Sequence, residues 1–163
     1  MDAVPARRLM LALHAAMERG LVRACHDLSE GGLAVAAAEM AFAGGLGMEL
    51  DLTNVPRTDD VTRTDEVLFS ESNSRFVVEV APRNRAGFEE ALAGLPFGLL
   101  GRVTADGRFR VRGLCGTPAC APGAGRPAPG CPARAPEGGG ATPVVIDESI
   151  ADLKEAWQAP LRW

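Results

Sequence analysis

The sequence has no uninterrupted apolar run near the roughly 18 residues that a membrane-spanning helix needs. Its first twenty residues form a helical pattern that carries Arg7, Arg8, Glu18 and Arg19, unlike a signal peptide. It also lacks a basic run, since 17 Lys and Arg oppose 21 Asp and Glu, with both signs interspersed and a net charge of −4. We therefore expect a cytoplasmic protein without nucleic acid or membrane as a partner. The charge balance does not exclude small polar or phosphorylated ligands.

Familiar catalytic signatures are missing as well. The sequence has no G-x-x-x-x-G-K-[ST] loop, no G-x-G-x-x-G after a strand, no G-x-S-x-G and no histidine-rich metal pattern. Its cysteines form no C-x-x-C pair: Cys25 lies in a predicted strand, while Cys115, Cys120 and Cys131 have four and then ten residues between them. Reduced, unpaired thiols are expected rather than a zinc site, and no self-contained enzyme is visible.

What the sequence does have is an alternation of helical and strand patterns. Predicted helices cover 5–19, 32–43, 84–95 and a last one with Ile150, Leu153 and Trp157 on one stripe; a short helix covers 65–72; strands cover 21–28, 48–52, 75–80, 97–103, 107–113 and 143–147. The turn at 105–107 is typical of a hairpin. Asn84 is expected to cap one helix, and Ser149 or Asp147 the last. This order predicts an α/β sandwich with a mixed sheet.

One segment departs from this pattern. From Leu114 to Thr142 the chain is mostly glycine, proline and alanine, with almost no large apolar residue. Such a segment cannot bury enough surface to offset the entropy of ordering it. We therefore predict one domain formed by residues 1–113 plus 143–163, with a disordered insertion over 114–142.

The first polar turn, residues 26–32, joins strand 21–28 to helix 32–43. Its candidate site residues are His26, Asp27, Ser29, Glu30, Gly31 and Gly32. Paired glycines allow the backbone to approach an anion, and the free N–H groups and dipole of a helix start favour negative charge. Helix capping by Asp27 or Ser29 explains the same residues without a ligand. His26 stays open between a ligand contact and a histidine bound to nearby backbone.

The second polar turn, residues 69–76, places polar side chains between two phenylalanines. Its candidate site residues are Glu71, Ser72, Asn73 and Arg75. Hydroxyl, amide, carboxylate and guanidinium groups can together bind a ribose and a phosphate, or they can fix a turn before a strand. Two such turns in one small domain favour a binding site.

Four segments carry a family resemblance: residues 20–52, 65–80, 97–103 and 144–157. In this order they resemble the C-terminal domain of phosphoribosylformylglycinamidine synthases, the large synthetases of purine biosynthesis. The resemblance runs from about residue 6 to 159, outside the insertion. It implies the C-terminal domain shared with aminoimidazole ribonucleotide synthetase, a three-layer α/β (α+β) sandwich with a mixed sheet that is partly ferredoxin-like.

The resemblance also implies a function. The family is an ATP-dependent carbon–nitrogen ligase that converts formylglycinamide ribonucleotide and glutamine-derived ammonia to the amidine, with ATP and Mg²⁺ as cofactors of the complete enzyme. The implied partners are the remaining synthetase domains, a glutaminase subunit and a small bridging subunit. The first polar turn corresponds to a loop that meets phosphate. The second corresponds to a turn whose counterpart in the duplicated first half contacts the ribonucleotide.

The family's ATP-binding and catalytic segments are absent, so the isolated chain is expected to be inactive. Three alternatives to a catalytic site of this family stay open. The second polar turn resembles the copy that belongs to an auxiliary structural-nucleotide site. The chain could also be a non-catalytic nucleotide-binding or dimerisation module, with the small-residue helix 32–43 facing a partner. The last alternative is a domain of a related enzyme, such as selenophosphate synthetase or thiamine-monophosphate kinase.

Overall fold

The computed structural model describes residues 3–114 and 142–161 of the 163-residue chain. The predicted insertion lies outside these residues except for its two ends, and so do Cys115, Cys120 and Cys131. The disorder of that segment therefore stays a prediction. No helix in the described ranges is long and apolar enough to cross a membrane.

Helices and strands alternate much as the sequence predicts. The helices are α1 (Ala3–Glu18), α2 (Gly32–Gly44), α3 (Thr64–Phe69), α4 (Arg85–Ala91) and α5 (Ile150–Gln158). The strands are β1 (Val22–Asp27), β2 (Gly47–Asp51), β3 (Phe76–Val80), β4 (Gly101–Thr104), β5 (Arg108–Arg112) and β6 (Val144–Ser149). Asn84 precedes α4, but its side chain does not cap that helix. Its amide instead donates to the Gly20 carbonyl at 3.1 Å and so ties the helix start to the end of α1.

The strands divide between two sheets. Strands β1 and β3 form an antiparallel pair, and the other four form a sheet in the order β4-β2-β5-β6. In that sheet β2 and β5 are parallel and the outer pairs are antiparallel, so the predicted mixed sheet is confirmed.

The hairpin predicted across residues 105–107 is wrong, because β2 lies between β4 and β5. The connecting turn passes around the first residue of β2. A Cβ added to Gly47 would lie 2.6 Å from both the Arg108 carbonyl oxygen and Asp106 Oδ1. Only glycine leaves room for this turn. The carboxylate of Asp106 fixes it by accepting hydrogen bonds from Thr104 Oγ1 at 2.7 Å and the Arg108 N–H at 3.1 Å.

The hydrophobic core is built around α2. Four alanines of this helix are buried against apolar side chains of both sheets: Ala34, Ala36, Ala37 and Ala41 pack in one cluster with Met48, Leu50, Val77, Phe109 and Val111. Small side chains let the helix approach its neighbours closely, while burial of each large one contributes roughly 2 kcal/mol. The small residues of α2 are therefore explained by packing within this chain, and no partner is needed to account for them.

The last two elements complete the core. Strand β6 pairs with β5, and Ile150 and Leu153 of α5 pack against the core cluster. Of the two predicted caps, Ser149 is correct: its Oγ accepts a hydrogen bond from the Asp152 N–H at 3.1 Å. Asp147 instead accepts from the Arg108 side chain, with Nε at 2.9 Å.

Candidate functional site

The two polar turns lie against each other. The backbone N–H of Gly31 donates to Glu71 Oε1 across 2.8 Å, which joins residues 40 positions apart. A few ångströms away, Gly32 packs against the C-terminal end of α3. Separate stretches of the sequence therefore converge on one region of the surface.

The glycine pair is required by packing. Gly31 and Gly32 have φ of +73° and +62°, a conformation that side chains rarely adopt. A Cβ on Gly32 would lie 2.7 Å from the Leu68 carbonyl oxygen and 2.8 Å from that of Ser70. A Cβ on Gly31 would lie 2.3 Å from Cγ2 of Val35 in α2. Packing against α3 therefore explains Gly32, and packing against Val35 explains Gly31, without a ligand.

Neither predicted cap closes the start of α2. Gly31 occupies the N-cap position and has no side chain, while the Ser29 hydroxyl donates to Asp27 instead. The second polar turn supplies the acceptor, because the carboxylate of Glu71 reaches the positive end of the helix. The hydrogen bond from Ser29 is also the main reason that the pKa of Asp27 is lowered, so this carboxylate stays ionised at neutral pH.

Arg75 holds the second polar turn together. Its Nη1 donates to the Ser70 carbonyl at 3.0 Å and lies 3.4 Å from the Ser72 hydroxyl, while Nη2 lies 3.4 Å from the Val67 carbonyl. These carbonyls end α3, where helix carbonyls lack partners of their own. Arg75 is half-buried, which lowers the pKa of its guanidinium. Its hydrogen-bond partners among the described residues are all neutral oxygens, and no carboxylate there forms an ion pair with it.

The turns and α1 border an open cavity of about 540 Å³, within the range of roughly 300–1,000 Å³ for small-molecule sites. Its polar lining consists of Asp27, Ser29, Glu71, Ser72, Asn73, Ser74 and Arg75. Its apolar lining consists of Met10, Met17, Cys25, Leu28 and Phe76. The cavity thus offers an apolar surface beside a polar rim.

Sequence reasoning missed part of this lining. Met10 and Met17 are not among the predicted site residues, yet they line the cavity and are 50% and 40% exposed. Their spacing of seven, two helical turns, is the signal that places them on one face. Cys25 shares a face of β1 with Asp27 because side chains alternate along a strand. Burial first, and then the charge of Asp27, raises the pKa of the Cys25 thiol, so it stays protonated and unreactive.

His26 does not line the cavity with its neighbours. Its Nε2 lies 2.8 Å from Glu39 Oε2 and its Nδ1 lies 2.7 Å from the Asp27 carbonyl oxygen. Both ring nitrogens therefore have protein partners, which favours the structural alternative left open for this residue. Glu30 is exposed beside the cavity but does not line it, and Gly32 is buried.

Ser74 gives the second polar turn an unusual backbone. Its φ is +64°, and it is the one non-glycine residue with positive φ in the described part of the chain. Such conformations cost of order 1–3 kcal/mol and persist where the surroundings enforce them, often at ligand sites. Arg75 directly follows Ser74 and bonds back to Ser70 and Ser72, so it ties the two ends of the turn together around Ser74.

The donor set suits binding rather than bond cleavage. Hydroxyls, an amide and a guanidinium can bind phosphate and ribose oxygens. The Ser29 hydroxyl does donate to the Asp27 carboxylate, but a carboxylate with a lowered pKa is a weak base for activating a serine. No group of three or more His, Cys, Asp and Glu that could hold a metal occurs within residues 3–114 and 142–161. Mg²⁺ commonly takes one or two protein carboxylates together with ligand phosphates. Asp27 and Glu71 fit that role only for magnesium that arrives with a phosphorylated ligand.

Two curated relatives match over different lengths of the chain. The phosphoribosylformylglycinamidine synthase subunit PurL of Methanopyrus kandleri is 40% identical over 113 residues, 68% of this chain and 16% of that protein. The PurL subunit of Alkaliphilus metalliredigens is 31% identical over 159 residues, 96% of this chain and 17% of that protein. The chain therefore spans about a sixth of the length of either relative.

Solved structures of Thermotoga maritima proteins show the same fold. PurL complexed with FGAR has a TM-score of 0.62 at 27% identity, over 68% of this chain and 19% of that one. PurL complexed with AMPPCP has 0.57 at 28%, over 64% and 18%, and PurLQS has 0.59 at 30%, over 65% and 18%. The family model for the AIR synthase related protein, C-terminal domain, matches residues 1–113. The expected α+β fold is confirmed, and the chain belongs to the family of AIR synthase related proteins, whose C-terminal domain it contains.

Proposed function

We propose that this chain is the C-terminal domain of a phosphoribosylformylglycinamidine synthase, formed by residues 1–113 plus 143–163. In the complete enzyme it would take part in the ATP-dependent conversion of formylglycinamide ribonucleotide and glutamine-derived ammonia to the amidine. The observation that carries the proposal is the convergence of both polar turns on one cavity, at which Arg75 has only neutral partners among the described residues. The names of the relatives support this assignment.

The polar and apolar residues that line the cavity would bind different parts of the ligand. Ser29, Ser72 and Asn73 would donate to phosphate and ribose oxygens, and the charge of Arg75 would attract the phosphate. Met10 and Met17 give a soft apolar surface on which a base can pack. Gly31 and Glu71 hold the rim in place. His26, Glu30 and Gly32 shape the first polar turn and need not touch the ligand.

Cofactors and partners follow from the same assignment. PurL of Thermotoga maritima has been solved with FGAR and with AMPPCP, an ATP analogue, which supports a ribonucleotide and ATP as ligands. Mg²⁺ would enter with the ATP phosphates. The PurLQS structure supports partner subunits, which we take to be a glutaminase and a small bridging subunit, in the cytoplasm.

Complementation in trans tests the function. A synthetase from this family that lacks its last domain is assayed for amidine formation alone, with this chain, and with this chain carrying Arg75→Ala. We expect turnover only in the mixture with the unaltered chain. Turnover by the purified 163-residue chain alone, or equal turnover with and without the chain, would contradict the proposal.

An auxiliary nucleotide site is the second candidate, because the cavity lining offers polar groups for binding and, among the described residues, only the weakly basic Asp27 carboxylate beside a hydroxyl. Calorimetric titration with ADP separates the two candidates when it is combined with complementation. Ser29→Ala should weaken binding, while Glu30→Gln, an exposed neighbour that does not line the cavity, should leave it unchanged. If Ser29→Ala weakens binding but leaves turnover intact, the site is auxiliary.

A further inference from the structure

The carboxylate of Glu39 in α2 joins two residues that are distant in sequence. Its Oε2 lies 2.8 Å from His26 Nε2 in β1, and its Oε1 accepts a hydrogen bond from the Trp157 indole N–H in α5 at 2.7 Å. The Glu39 side chain is only 25% exposed. Both of its oxygens therefore have partners from separate elements, and the side chains of His26, Glu39 and Trp157 form one hydrogen-bonded network.

At one end of this network, His26 contacts the backbone of the first polar turn. His26 Nδ1 lies 2.7 Å from the carbonyl oxygen of Asp27, the last residue of β1 and a cavity-lining residue. Since both ring nitrogens have oxygen partners, the imidazole cannot turn without losing one of them. Glu39 thus fixes the ring that contacts the peptide at the entrance of the turn.

The Trp157 end reaches the C-terminal helix. The indole ring packs on Phe42 of α2 with ring centroids 5.7 Å apart, and its N–H is directed to Glu39. Trp157 is 47% exposed, so burial alone does not hold it in place. The hydrogen bond from the indole therefore fixes the rotamer of Glu39 and helps to hold α5 against α2.

We propose that Glu39 is a positioning residue for the cavity. It holds the Asp27 peptide in place through His26, and Trp157 holds Glu39 in the orientation that this requires. The helix α5, which does not line the cavity, thereby controls its affinity for a phosphorylated ligand. This inference rests on the proposed function of the cavity for its effect on ligand binding, while the positioning itself is a property of the free protein.

Amide hydrogen exchange of the full chain, followed by NMR, tests the positioning without a ligand. Glu39→Ala removes both contacts, and Trp157→Phe removes the N–H but keeps a ring on Phe42. Exchange at residues 27–32 should become roughly five- to tenfold faster in both variants, because the Asp27 peptide loses the ring that holds it. Glu39→Gln, which keeps an oxygen for Trp157 and an amide for His26, should stay within about twofold of the unaltered chain. Glu90→Ala, an exposed position on α4, should change nothing.

The same variants are then titrated with ADP. The dissociation constant should rise roughly five- to tenfold for Glu39→Ala and Trp157→Phe and stay unchanged for Glu39→Gln and Glu90→Ala. Exchange at residues 27–32 that is unaffected, or that rises equally throughout the chain, overturns the inference, since the second result shows general destabilisation. If the unaltered chain binds no ADP, the proposed function fails, and the exchange rates still decide whether Glu39 positions the turn.

Discussion

Two regions of this molecule give their charged side chains different partners: the outer face of the four-stranded sheet and the pair of polar turns. On the sheet they form a row across all four strands, since Arg102, Glu49, Arg110 and Asp147 stand opposite one another in register. Glu49 lies 2.9 Å from Arg102 and 3.7 Å from Arg110, and Arg110 lies 3.4 Å from Asp147. Each charge in this row is met by an opposite charge.

At the polar turns the three charged side chains that line the cavity form their hydrogen bonds with neutral groups instead. Glu71 accepts from a backbone N–H, Arg75 donates to carbonyls and hydroxyls, and Asp27 accepts from a hydroxyl. Because these groups are not neutralised by each other, they keep a field that a charged ligand can use. The comparison teaches that the density of charge does not mark a binding site. The kind of partner that each charge has is the better guide.

The largest effect that we expect concerns the contact between the turns. Gly32→Ala should lower the free energy of unfolding by roughly 3 kcal/mol, because it adds a clash with the α3 carbonyls to an unfavourable φ. Gly94→Ala, at φ +77° with nothing within 4 Å of the added Cβ, should cost only about 1 kcal/mol. Urea unfolding of both variants measures the difference. Equal losses would show that conformation alone, and not the packing of the turns, requires glycine at position 32.

A second pair of variants compares the arginines of the two regions. Arg75→Ala should cost about 2 kcal/mol, because it leaves half-buried carbonyls of α3 without a charged donor. Arg102→Ala should cost about 0.5 kcal/mol, since its ion pair is exposed to solvent. Urea unfolding again gives both numbers. A loss for Arg102→Ala that matched or exceeded that for Arg75→Ala would mean that the charge row stabilises the fold more than the cap does.

A smaller effect concerns pH and the sheet face. Hydrogen bonds from Arg110, then from Thr104 and the Arg108 N–H, hold the pKa of Asp106 well below its usual value of 3.8. A lowered pKa in the folded state means that this carboxylate stabilises the fold above about pH 4 and loses that contribution as the pH falls toward the folded pKa. Asp106→Asn should therefore be less stable than the unaltered chain at pH 7, and the gap should narrow below pH 4. A difference in stability between the two proteins that widened in acid would contradict a lowered pKa for Asp106.

Local signals in the sequence were enough for most elements. The run of small residues after Gly31 predicted a helix over 32–43, and α2 spans Gly32–Gly44. Ser149 carried the signature of a helix cap and is one. These features depend on residues within a few positions of each other, where propensity and capping act.

The features that depend on distant residues could not be predicted in this way. The turn at 105–107 looked like a hairpin because nothing near it shows that β2 inserts between its strands. Asp27 and Ser29 looked like caps for α2, but the acceptor comes from Glu71, 40 residues beyond Gly31. The partner of His26 lies 13 residues away, and the residue that orients that partner lies a further 118 along the chain. Single-sequence patterns do not encode such pairings.

The central claim is that the cavity between the polar turns binds a phosphorylated ligand and that the charged sheet face does not. Amide chemical shifts during a titration of the full chain with ADP test it most directly. We predict shifts that saturate at residues 27–32 and 71–76, while residues 47–51 and 108–112 stay unmoved. Saturating shifts on the sheet face, or none at the two turns, would contradict the account.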